Sequence, residues 1–246
     1  MSQPEASKPE IITMGSGAHN EALMEGRLTH SNTFKRSRIV MLIPAIAPID
    51  PKVYLSHRSL IFPPNQACLP MLVYGAEVGD AYSRGIEAIL ADPNLREWEY
   101  VLTIEADNIP PPDGVLKLLR RMEDNPQFAG IGGLYFCKGP GGCPHIWGDI
   151  TDPNVNYRPV PPRPGELIEC YGTSCGFNLW RMEMFRDARL PRPLFPTKAS
   201  KDGVGTQDLA FWGEARKLGY RCAVDAGCPV GHIDVSGSFG PKGFVW

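Results

Sequence analysis

The chain has no apolar run approaching the roughly 20 residues that a membrane helix needs. Its first ten residues, MSQPEASKPE, contain no signal-peptide core. Both absences give the expectation of a cytoplasmic protein with no membrane partner. Charge of one sign is lacking too: a net charge of −2 carries no global basic signature for nucleic acid. None of the seven cysteines forms a CxxC pair. Cys137/Cys143 and Cys222/Cys228 have an unusual spacing for zinc, and no histidine completes a standard pattern. The cysteines therefore read as free thiols in a reducing compartment. No internal repeat is visible, and residues 1–37 lack periodicity, which makes them a loose N-terminal arm.

The remainder alternates apolar runs with amphipathic ones. Arg38–Ile43 (RIVMLI) reads as a buried strand stopped by Pro44. A long connection through Pro48, Pro51 and Pro63-Pro64 leads to a second strand, Leu69–Tyr74, ended by Gly75. Asp80–Leu90 places Ala81, Tyr82, Ile86, Ile89 and Leu90 on one helical face. Tyr100–Ile104 is a third strand, and Asp113 can cap the helix whose apolar positions are Val115, Leu116, Leu118, Leu119 and Met122. Phe128–Phe136 is glycine-rich and strand-like. Such alternation argues for an α/β fold with a mainly parallel central sheet flanked by helices. Beyond it, Asp152–Gly165 and Pro191–Gly205 read as loops, and Leu167–Tyr171 and Phe177–Arg181 as short strands. Thr206–Leu218 reads as a helix stopped by Gly219, and Tyr220–Val224 as a strand.

The most informative stretch is EYVLTIEADNIPPPD, Glu99–Asp113. An apolar strand runs straight into Glu105 and Asp107, with Ala106 between them, and parallel strands carry ligands beyond their carboxyl ends. Two acids there can face one divalent metal and the sugar–phosphate part of a nucleotide, because hard cations take carboxylate and phosphate oxygens. Asp208 sits in the first turn of its helix, where the dipole favours the ionised form. It can serve as a base or acceptor-binding group. His232 lies in a glycine-flanked loop after a strand, and a neutral imidazole suits manganese beside carboxylates. The segment His145–Asp149 (HIWGD), after the turn KGPGGCP, offers apolar faces and polar groups of the kind that bind carbohydrate.

In order, IVMLIPA, AYSRGIEAIL, TIEADN, GIGGLYF, GTSCGFNLWR, TQDLAFWGEARKLGY and VGHID make the chain resemble GT-A fold glycosyltransferases, especially the family 2-like group. The match runs over roughly residues 38–234. The phrasing EADNIPPPDG and the absence of membrane helices also resemble glycosyltransferases of bacteriophage genomes. The resemblance implies a Rossmann-like single domain over 38–246, with a donor half of about 38–136 and a smaller acceptor-side half of about 137–246.

It further implies a nucleotide-sugar site of Pro44, Glu77, Arg84, Glu105, Ala106 and Asp107. A divalent metal, manganese first and magnesium second, would be held by Asp107 and His232, with Asp208 as catalytic base. Trp147, Trp180 and Gln207 become acceptor-side candidates. Glu105 stands where the family has Asp, Gln207 where it has Glu, and GAEVGD replaces a common DDGS. The implied donor is a UDP-sugar, and the acceptor either DNA with a hydroxymethylated base or a protein. A sugar-phosphate nucleotidyltransferase is the rival enzyme, but it usually opens with a glycine- and lysine-rich loop, where this chain has PAIAPID. A non-catalytic carbohydrate-binding protein of the same fold is the other rival.

Overall fold

The computed structural model describes residues 10–13, 36–64, 66–139, 141–152, 156–200, 203–234 and 244–245. Most of the arm expected over 1–37 lies outside them. Its described part, Glu10–Thr13 (β1), pairs antiparallel with the sheet strand Cys68–Tyr74 (β3).

The core follows from strands that are buried at every position and almost wholly apolar. In Ile39–Ala45 (β2), Val40 and Leu42 point into one layer, while Ile39, Met41 and Ile43 point into the other. Tyr100–Ile104 (β4) divides in the same way, with Val101 opposed to Tyr100, Leu102 and Ile104. Side chains alternate faces along a strand, so a continuous apolar run is what a sheet covered on both sides requires. One layer packs against the helix Val78–Ala91 and the aromatic group Trp180, Trp212, Phe185, Phe195 and Phe211. The other packs against the helix Gly114–Asp124 through Val115, Leu118, Leu119 and Met122.

The remaining sheet strands are Gly130–Leu134 (β6), Leu167–Cys170 (β8), Phe177–Arg181 (β10) and Cys222–Pro229 (β13). Strand order is β1-β3-β2-β4-β10-β6-β13-β8. Strands β3, β2, β4, β6 and β13 share one direction; the edge strands β1 and β8 and the inserted β10 oppose it. The expected mainly parallel α/β sheet is therefore observed, with an antiparallel strand between its two parallel blocks.

Two segments differ from the sequence reading. The connection before β3 contains a helix, Pro51–Ser59. Asp50 caps it by accepting from the Lys52 N–H at 2.8 Å, with Pro51 at the first helical position. Proline is favoured at that position, since its missing N–H would have no helical partner. The second is Pro191–Gly205, where Lys198–Ser200 and Gly203–Gly205 pair as an antiparallel hairpin. The stretch 152–165 has no regular element among its described residues and runs largely exposed. All seven cysteines are unbridged.

Candidate active site

Strand β4 ends at Ile104, and Glu105 and Asp107 follow at its carboxyl end, as expected. Gly176, just before β10, holds this exit in place. Its carbonyl accepts from the Glu105 N–H at 2.9 Å, and its N–H donates to the Tyr135 hydroxyl at 2.9 Å. A Cβ at Gly176 would lie 2.3 Å from that hydroxyl and 2.6 Å from Asn108 Oδ1, so only glycine fits without displacement.

Asp107 and His232 meet by a route the sequence did not disclose. Their parent strands, β4 and β13, are separated in the sheet by β10 and β6. The short strand Asn108–Ile109 pairs antiparallel with Gly231–Ile233, setting His232 opposite Asn108. The Ile233 N–H donates to the Asp107 carbonyl at 2.8 Å. His232 thus lies on a strand rather than in a loop. Its Nδ1 donates to the Phe136 carbonyl at 2.8 Å, which leaves Nε2 as the nitrogen facing Asp107 Oδ2, at 3.5 Å.

The other Asp107 oxygen, Oδ1, is buried without a hydrogen-bond partner. Burial pushes the Asp107 carboxyl up, but His232 and Lys138 outweigh it and hold the pKa below its ordinary value. A carboxylate with one buried, unpartnered oxygen, and an imidazole nitrogen facing its other oxygen, fit a divalent cation whose remaining ligands are phosphate oxygens. No group of three or more His, Cys, Asp and Glu suited to a metal occurs among the described residues, so the protein itself would supply only part of the shell.

Glu105 is partly buried and its pKa rises to about 8, through burial first and then the charges of Asp107 and Asp208. It therefore carries a proton at neutral pH, and it accepts from the Tyr82 hydroxyl at 3.1 Å. Asp208 departs from the dipole argument. It is 6% exposed, and burial raises its pKa from 3.8 to about 6, although its Oδ1 accepts from the Leu209 N–H. A helix dipole contributes about 0.3–1 kcal/mol, whereas a shift of this size corresponds to on the order of 3 kcal/mol. Desolvation wins.

Above Glu105 and Asp107 opens a cleft of about 500 Å³, lined among others by Pro44, Glu77, Glu105, Ala106, Asp107 and Gln207; Asp208 follows Gln207 in sequence and does not line it. Six residues expected from the sequence are brought together here. Glu77 caps the helix Val78–Ala91 through the Asp80 N–H and accepts from the Thr197 hydroxyl at 2.9 Å.

Three expected residues are elsewhere. Arg84 points to solvent in an ion pair with Asp80 and lines a separate surface groove with Ile11, Glu87 and Arg192, because its helix turns its other face to the sheet. Trp180 is wholly buried, stacked on Trp212 at 5.1 Å with its Nε1–H donated to the Thr103 hydroxyl at 2.8 Å, so it offers an acceptor no surface. Trp147 is 2% exposed, packed against Tyr157 and His145. Both indoles are packing residues, consistent with their large apolar area.

Sequence reasoning missed Tyr82, Tyr135 and Lys138. The first two looked like ordinary apolar positions of a helix and a strand. Lys138 opens the glycine-rich turn after β6, and a cation beside a strand exit that carries acids is the signal that points to it.

No protein-family model matches the chain, and no curated protein matches it. Among solved structures it is similar to A197 from STIV, with a TM-score of 0.57 and 13% identity over 80% of this chain and 85% of that one. It is similar also to GalNAc-T7, crystallised with UDP, GalNAc and Mn2+, with a TM-score of 0.46 and 10% identity over 79% of this chain and 43% of that one. A third is S. aureus TarS 1–349, with a TM-score of 0.47 and 13% identity over 79% and 59%. The solved structures that this chain resembles thus include GT-A glycosyltransferases. The overlap with A197 shows a shared fold; the other two scores, below 0.5, carry no argument about this chain's activity.

Proposed function

We propose that the chain is a metal-dependent glycosyltransferase of GT-A type, moving a sugar from a nucleotide-sugar donor, a UDP-sugar, to an acceptor hydroxyl. The observation that carries this reading is the meeting of Asp107 and His232 at 3.5 Å, with Asp107 Oδ1 unpartnered and Asp107 lining a cleft together with Glu105 and Glu77. In this reading Asp107 and His232 hold a divalent cation, manganese first. When bound, the cation neutralises charge on the leaving diphosphate.

The residues of the chain do the rest. Pro44, Ala106 and Glu77 shape the nucleoside end of the cleft. Glu105, protonated at neutral pH, offers a hydrogen bond to a ribose or sugar oxygen. Asp208, with its pKa near 6, is ionised at pH 7 yet basic enough to take the acceptor proton as attack proceeds. Gln207, on the cleft wall, orients the acceptor. Residues 38–136 form the donor half and 137–246 the acceptor half. A hydroxymethylated DNA base or a protein hydroxyl is the proposed acceptor.

Calorimetry with UDP, with and without manganese, tests the donor site. A panel of nucleotide sugars incubated with hydroxymethylated DNA or protein tests transfer. Manganese-dependent UDP binding and sugar transfer are expected; UDP binding unaffected by manganese would defeat the metal role.

A further inference from the structure

Lys138 has no role in the reaction proposed above, yet it makes the shortest contact that Asp107 has. Its Nζ lies 2.5 Å from Asp107 Oδ2, the same oxygen that His232 Nε2 faces at 3.5 Å. Both side chains of the pair are only about one-fifth exposed.

The turn that presents Lys138 is tightly built. The Cys137 N–H donates to the Cys143 carbonyl at 2.9 Å, closing the turn at its base. Gly139 and Gly141 have φ of 102° and 70°, a region that side chains disfavour. A Cβ on Gly142 would lie 2.0 Å from the Cys137 carbonyl oxygen. Two residues before Lys138, the Phe136 carbonyl anchors His232. One strand exit therefore carries both the histidine anchor and the ammonium, and aims them at one carboxylate oxygen.

Two cations would compete for that carboxylate. A divalent ion held by Asp107 and His232 would face an ammonium already hydrogen-bonded to it, and charge repulsion opposes sharing. The lysine stem is long and flexible, so the ammonium can move. When a nucleotide diphosphate is bound beside Asp107, its oxygens are the nearest alternative anion.

We propose that Lys138 is a diphosphate-binding residue that exchanges partners: its ammonium holds Asp107 until a divalent cation takes the carboxylate, and then moves onto the diphosphate of the nucleotide. This rests on the donor-site reading above. The exchange gives the site a second positive charge on the leaving group. It also makes metal alone bind poorly and metal with nucleotide bind well, which couples the two ligands.

The test uses the full chain as wild type, Lys138→Met and Lys138→Arg, with manganese binding followed by electron paramagnetic resonance and nucleotide binding by calorimetry. Methionine keeps most of the stem and removes the charge; arginine keeps the charge and checks that any change is not a folding defect. A hydrogen bond between charged groups contributes about 1.5–3 kcal/mol, equivalent to about ten- to a hundredfold in affinity. Lys138→Met should therefore bind manganese alone about ten- to a hundredfold more tightly. The same variant should bind UDP with manganese about ten- to a hundredfold more weakly. Lys138→Arg should stay near wild type in both.

Unchanged or weaker manganese binding by Lys138→Met would overturn the competition, and unchanged UDP binding would overturn the phosphate role. Loss of both affinities in Lys138→Arg as well would make Lys138 structural and overturn the proposal. If the wild type bound no UDP in the presence of manganese, the donor-site reading itself would fall, an outcome distinct from a normal wild type with an indifferent variant.

Discussion

Asp208 lies buried within electrostatic reach of Glu105, Tyr135 and Cys175, and asparagine at this position would keep its shape and its acceptor for the Leu209 N–H. The carboxyl ordinarily titrates at 3.8, but in the fold at about 6. Below pH 3.8 it is protonated in both folded and unfolded chains and the shift has no effect on stability. Between 3.8 and about 6 the folded state binds the extra proton, so stability falls as pH rises. Above about 6 the whole penalty is present, on the order of 3 kcal/mol.

Asp208→Asn removes that penalty, less what its amide nitrogen costs if it finds no partner, about 1–3 kcal/mol. The stability difference between variant and wild type should therefore grow in the variant's favour from pH 4 to pH 7.5. Urea unfolding followed by tryptophan fluorescence at both pH values measures it. The same variant should bind donor nearly normally and transfer sugar about 10²–10⁴-fold more slowly, as loss of a positioned base requires. A stability difference that stays constant across this pH range would refute the burial argument. Near-wild-type transfer would refute the catalytic one.

Further expectations concern the surroundings of this site. The rate of transfer at saturating donor and metal should rise with pH through about 6 and level off above it, because only ionised Asp208 accepts a proton; a flat profile from pH 5 to 8 would exclude it as the titrating base. Gly176→Ala should cost about 1–3 kcal/mol in urea unfolding and weaken UDP binding, because its Cβ collides with the Tyr135 hydroxyl and Asn108. Arg84→Ala should leave UDP affinity unchanged and shift stability by no more than about 0.5 kcal/mol, since it loses only an exposed ion pair.

What was legible in the sequence was whatever depends on short-range pattern. The runs IVMLI and YVLTI gave the central strands, and the step from Ile104 to Glu105 located the acids, because a both-sides-buried strand has an unmistakable end. The helix Pro51–Ser59 was missed although Asp50-Pro51 is a sound capping signal; nearby prolines dominated the reading. The meeting of Asp107 with His232 could be guessed but not its cause, since it depends on the register of two very short strands far apart in the chain. The expected places of Arg84, Trp147 and Trp180, and the dipole argument for Asp208, differ from the structure for one reason. Which way a side chain faces, and whether water reaches it, is decided by packing between elements, and a residue's type does not encode that.

The central claim is that Asp107 and His232 jointly hold a cation that receives the nucleotide diphosphate. A crystal structure of the protein with UDP and manganese, with data collected at the manganese absorption edge, tests it most directly. The account predicts one anomalous peak bonded to Asp107 and to His232 Nε2 and contacting both phosphates. Manganese on UDP but away from Asp107 and His232, or UDP bound outside the cleft of Pro44, Glu77 and Glu105, would contradict it.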